Sequence, residues 1–115
     1  MANSNLEIRD SYKVITVGIT LKSNSCELNS EIKNAYQFFY VENDISPDIT
    51  YYVVVNCKTS SPMKHVIANN QEIIYTTGSY LNLQSYLDWS IMNTIISGLK
   101  ELYLIHAGVV TLLDK

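Results

Sequence analysis

The sequence predicts an α+β domain, a mostly antiparallel sheet with two helices on one face, and three observations predict it. Several short segments alternate apolar and polar side chains with the two-residue period of strands. Two others repeat apolar residues every three or four positions, as helices do. Loops built from Asn, Ser, Pro and Gly separate them. A length of 115 residues suits a single domain spanning 1–115.

The first strand is expected over Tyr12 to Leu21, where Ile15, Val17, Ile19 and Leu21 share one face and Thr16, Gly18 and Thr20 the other. Ser23-Asn24-Ser25 ends it as a turn. From Ser30, a plausible N-cap, Ile32, Ala35, Tyr36 and Phe39 recur at helical spacing and predict about three turns. Asn43-Asp44 and Ser46-Pro47-Asp48 break that helix, with Asp44 and Asp48 in the turn-capping roles that short acidic side chains favour. Ile49 to Cys57, rich in β-branched and aromatic residues, is the strongest strand signal. Lys64–Ala68 and Glu72–Thr77 flank Asn69-Asn70-Gln71 and predict a hairpin, because Asn tolerates the positive φ of a tight turn.

Beyond Gly78 a long helix is expected over about 83–102, leading into a C-terminal strand. Leu83, Leu87, Ile91, Ile95, Leu99 and Leu102 form one apolar stripe. Trp89, Met92, Ile96 and Tyr103 form a second beside it. Two stripes imply burial on two sides. Either the helix is central, between the sheet and the first helix, or one side is meant for a partner.

Composition excludes several functions. An apolar content of 47% with 17% charged residues is that of a chain with a core. A net charge of −3 with Arg9 as the single arginine argues against a nucleic-acid surface, which needs clustered cations. The N-terminus lacks the basic start and apolar stretch of a secretion signal. Apolar runs fall far short of the ~20 residues that span a bilayer. A cytoplasmic protein with no membrane partner is therefore expected, with Cys26 and Cys57 as reduced thiols.

No catalytic constellation is complete in these residues. With glycine only at 18, 78, 98 and 108, nothing imitates the Gly-x-x-x-x-Gly-Lys-Ser/Thr cradle whose backbone N–H groups converge on phosphate. His65 and His106 stand far apart, and neither cysteine belongs to a close ligand pair, so no metal is expected. Met63-Lys64-His65 reads as solvent-facing, and His106 as a core-edge histidine bonded to backbone. Nine tyrosines suggest cross-strand aromatic pairs. Tyr51 and Tyr52 must point to opposite faces of one strand, with Tyr75 able to pair with one of them. The competing reading takes Tyr51, Tyr52 and Tyr75 as a peptide-binding surface beside an edge strand that captures extended peptides.

The terminal segment, Leu102-Tyr-Leu-Ile-His-Ala-Gly-Val-Val-Thr-Leu-Leu-Asp-Lys115, resembles a strand of the P-loop serine kinases related to HPr kinase/phosphorylase. In that family a His-Ala-(Gly/Ala)-Val-Val strand turns back through a hairpin, and a phosphate-binding loop follows. The likeness extends in outline to Pro47-Asp48-Ile49 before a strong strand, then a hairpin and a long helix. Only His106, Ala107 and Gly108 carry over as motif positions, with no catalytic residue among them. The resemblance implies the N-terminal, non-catalytic part of a longer kinase of the kind found beside peptide-modifying enzymes. Such a domain would hold a substrate peptide or serve assembly, inactive alone. ATP and Mg²⁺ belong to the complete parent, whose remainder, or a second copy of this chain, is the expected partner. The alternative is a stand-alone α+β binding protein without catalysis. The first reading leaves Val109 to Leu113 unpaired or paired with another molecule; the second makes it an ordinary strand.

Overall fold

The computed structural model describes residues 6–43, 45–57, 64–70 and 72–113, with side chains as far as Leu99. The chain runs β1 (Ile8–Val14), β2 (Val17–Ser23), α1 (Cys26–Ala35), a 3₁₀ turn at Gln37–Phe39, β3 (Tyr40–Val41), β4 (Ile49–Cys57), β5 (Lys64–Asn69), β6 (Glu72–Thr77) and α2 (Tyr80–Leu113). The strands form one sheet in the order β3-β1-β2-β4-β5-β6. Every neighbouring pair is antiparallel except β2 and β4, which run parallel from Ile19↔Ile49 to Ser23↔Val53. The connection between those two strands carries α1. The expected α+β class holds, with a mostly antiparallel sheet and a long C-terminal helix.

One face of the sheet holds the core. Tyr12 and Val14 of β1 lie beside Ile19 and Val17 of β2, followed by Leu21, then Tyr51 and Val53 of β4, and Ile67 of β5. Leu28 and Ile32 of α1 close this face at one side. Leu83, Leu87, Ile91 and Ile95 of α2 close it at the other. Each such side chain contributes about 1.5–3 kcal/mol on burial. Hydroxyls reinforce the seam: the Tyr51 hydroxyl lies 2.9 Å from Ser90 Oγ and 3.0 Å from Thr94 Oγ1, and the Tyr36 hydroxyl donates to Asp88 Oδ1 at 2.6 Å. Tyr80 O–H and Gln84 Nε2 both donate to Glu31, tying α1 to the start of α2.

Three boundaries differ from expectation. The strand expected over Tyr12 to Leu21 is a hairpin that turns at Ile15-Thr16. Ile15 adopts φ 58°, a left-handed conformation unfavourable for a β-branched residue, so no Gly or Asn marks the turn. Its side chain is exposed at the tip, not buried with Val17. The first helix begins one turn earlier, because Ser25, not Ser30, is the N-cap: its Oγ accepts the Leu28 N–H at 3.1 Å. Phe39 falls in the 3₁₀ turn after the helix has ended at Tyr36.

A further correction concerns the C-terminal strand. Residues 104–113 are the last turns of α2, which runs unbroken from Tyr80 to Leu113. An apolar run bounded by no Pro fits either period, and extending an existing helix avoids the cost of nucleating new structure. Gly108 costs only about 1 kcal/mol in a helix interior and does not stop it. Gly98 serves a different purpose. A Cβ there would fall on Val17 Cγ2, so glycine lets α2 approach the β1–β2 hairpin closely.

Candidate functional site

At one end of the sheet the starts of both helices converge on His65. A cleft of about 520 Å³ opens there, lined by Asn24, Ser25 and Glu27 before and within α1, by Val55, Asn56 and His65 of the sheet, and by Tyr80 of α2. The sequence builds it from an interrupted ladder. β4 and β5 pair regularly up to Val54↔Val66, then shift register before Cys57↔Lys64. Asn56 within the shift takes φ 58°, which Asn tolerates better than a β-branched residue would.

On the opposite side of β4, where β2 has ended at Ser23, the side chain of Asn24 continues the pairing with Val55. Its Oδ1 accepts the Val55 N–H at 2.8 Å and its Nδ2 donates to the Val55 carbonyl at 2.9 Å. Asn56 N–H donates to His65 Nδ1 at 2.9 Å, which fixes the ring as the tautomer protonated on Nε2. His65 is only 7% exposed, with its ring edge-on to Tyr80 at 6.0 Å between centroids. Burial, and then the hydrogen bond to Glu31, push the Tyr80 hydroxyl well above the ordinary tyrosine pKa, so it stays a neutral donor. The cleft therefore presents amide, hydroxyl, imidazole N–H and carboxylate groups, a set suited to hydrogen-bonded binding.

A smaller hollow of about 270 Å³ lies among Lys13, Thr16, Gly18, Ile45, Ser46 and Asp48. Asp48 is committed to backbone there: Gly18 N–H donates to its Oδ2 at 2.7 Å, and Asp48 N–H donates to the Gly18 carbonyl at 2.8 Å. That is the turn-capping role expected of it; Asp44 lies outside the described residues.

The residues singled out from the sequence do not gather in one place. Tyr51 is fully buried under α2, whereas Tyr52 lies on the opposite face with Lys22 Nζ 5.6 Å from its ring. Tyr75 stands two strands away, because β5 separates β4 from β6. It stacks instead on Tyr86 of α2, rings 4.1 Å apart and 2° from parallel. β6 does form an edge of the sheet, and its Ile73 is 64% exposed. His65, expected to face solvent, is buried. His106, Ala107 and Gly108 lie along the backbone of α2, with side chains outside the described residues. Cys26 is an exposed thiol and Cys57 a buried one. Among the described residues no group of three His, Cys, Asp or Glu side chains could hold a metal ion, and no helix is long and apolar enough to cross a membrane.

The second stripe of α2 faces away from the core. Trp89, Met92 and Ile96 are 59%, 44% and 55% exposed. As far as Leu99 the helix is therefore not buried on two sides, and Trp89, Met92 and Ile96 form an open apolar ridge. Sequence reasoning missed the His65 cleft, for which two signals exist. One is Ser25 with Leu28 at N3, the other a polar Asn ending the β-branched run of β4. Comparison of the chain with protein-family models, with curated proteins and with solved structures finds no match.

Proposed function

We propose that the chain is a non-catalytic binding and assembly domain. The observation that supports this is α2, whose core-facing stripe completes the domain while Trp89, Met92 and Ile96 stand exposed on another side. A ridge centred on tryptophan is the type of surface that carries binding energy when a partner covers it. By the resemblance of His106-Ala107-Gly108 and the residues around them, we infer a parent among the HPr kinase-related serine kinases and a cytoplasmic setting. ATP and Mg²⁺ would then engage the parent's phosphate loop. The role of these residues would be assembly, or holding a substrate peptide along the open edge of β6.

Titration calorimetry of the 115-residue protein with Mg-ATP tests the first part. No binding heat is expected, and a saturable heat would overturn the non-catalytic reading. The reading frame after Lys115 tests the parentage. A Gly-rich loop with Gly-Lys-Ser/Thr within a few tens of codons is expected, whereas an immediate stop would favour a binding protein acting alone.

A further inference from the structure

His65 has one hydrogen-bonding atom left over. Its Nδ1 accepts the Asn56 N–H at 2.9 Å, which leaves Nε2–H as a donor with no partner among the described residues. A donor sealed in the protein without a partner is costly, and among the described residues the Tyr12 hydroxyl is the only side-chain group in that position. The Nε2–H of a ring that is otherwise buried therefore meets open space, and the space it borders is the cleft of about 520 Å³. A cleft of that size holds a small ligand. The ligand must bring an acceptor to this point.

A second pole of opposite character lies in the same cleft. Among the described residues that line it, Glu27 alone is charged, and it has no hydrogen bond or ion pair to another described residue. Both poles adjoin Tyr80. The His65 ring lies 6.0 Å from the Tyr80 ring, and the Glu27 charge, after burial and Glu31, helps to hold the Tyr80 hydroxyl above its ordinary pKa. One short ligand can therefore reach both. Glu31 adds a further negative charge behind that hydroxyl, which donates to it at 2.8 Å.

These charges decide the sign of the ligand. Each helix start contributes about half a positive charge. Both starts are already capped, Ser25 Oγ accepting the Leu28 N–H and Ser79 Oγ the Asn82 N–H. The full charges of Glu27 and Glu31 outweigh the two halves, so phosphate or another anion is disfavoured. What fits is a cation with an acceptor beside it.

We propose that the cleft binds a primary ammonium next to a carbonyl, the pair that opens a peptide and is present in a free amino acid. The ammonium donates to Glu27 and lies against the Tyr80 ring, as cations do on aromatic faces. The carbonyl accepts from His65 Nε2–H. Asn56 lines the same cleft and offers its amide to the group that follows. This reading goes beyond the assembly role and uses none of the α2 ridge, so either can fail without the other.

Proton–nitrogen correlation NMR of the full 115-residue protein, titrated with L-alanyl-L-alanine amide, tests the site. Saturable shifts are expected at Asn56, His65 and Tyr80, with a Kd on the order of 1 mM for so small a ligand. Acetylating the dipeptide removes the ammonium and should weaken binding about tenfold or more. Glu27→Gln, at an exposed position, should do the same. In His65→Asn the amide oxygen can take the place of Nδ1 as acceptor for Asn56, while the Nε2–H donor is lost. Binding should again weaken about tenfold, with the folded spectrum retained. Free L-alanine separates the two sources: comparable binding points to an amino acid and weaker binding to a peptide end, and both support the site. Shifts that do not saturate, or that lie outside the cleft, would overturn the proposal. So would equal binding of the acetylated dipeptide, undiminished binding by Glu27→Gln, or inorganic phosphate moving the same resonances.

Discussion

Tyr12 shows how a single atom can work against the core that contains it. Its ring lies edge-on to Tyr36 and Tyr40, at 6.3 and 5.8 Å between centroids, yet its buried hydroxyl has no hydrogen-bond partner among the described residues. Tyr12→Phe keeps the ring contacts and removes the unsatisfied group, so it should stabilise the fold by about 1 kcal/mol in urea melts. A variant that is less stable would mean that the hydroxyl is satisfied in solution. Burial, followed by the neighbouring Asp10 charge, raises the Tyr12 pKa; burial and the Asp88 hydrogen bond raise that of Tyr36. Because both folded pKa values lie above the unfolded one, the tyrosines favour folding fully below pH ~10 and lose that contribution as pH climbs above it. The melting temperature should hold to about pH 10 and then fall. The fall should be shallower in Tyr36→Phe, whose one removed group no longer titrates. At this scale the sequence was informative where side chain and backbone agree, as in Asp48 capping Gly18 or Asn70 turning with φ 43°. It was opaque where they conflict, as in the left-handed Ile15.

The long helix teaches the limits of periodicity at the scale of an element. Its core stripe, Leu83 to Leu99, was legible because α2 packs on a sheet through one side and a 3.6-residue repeat reports that directly. Its end was not, since an apolar run from 102 to 113 satisfies strand and helix alike. The His65 cleft was illegible for another reason: it is made where β4 leaves its register, and local propensity does not report a bulge. Gly98 gives the element its own test. Alanine is a better helix former by about 1 kcal/mol, yet its methyl would strike Val17 of β2. Gly98→Ala should therefore destabilise by about 1–3 kcal/mol in thermal or urea unfolding. A gain in stability would show that the hairpin yields easily.

For the whole molecule, the α+β class followed from alternation in one half and helical spacing in the other. The strand order did not, because pairing of β2 with β4 depends on contacts that no local pattern encodes. That single parallel seam also divides the chain in time. β1 with β2, and β4 with β5 and β6, are hairpins that can close within microseconds because their partners are neighbours in sequence. Leu21 and Tyr51, side by side in the finished sheet, are separated by the whole of α1 and the loops around it, and loop closure must precede any reward from their contact. Joining the two halves should therefore limit the refolding rate. Stopped-flow refolding of Val53→Ala, on the seam, should slow with the loss of stability, whereas Ile74→Ala, on β6, should chiefly speed unfolding. Equal effects on the two rates would place the seam elsewhere on the folding path.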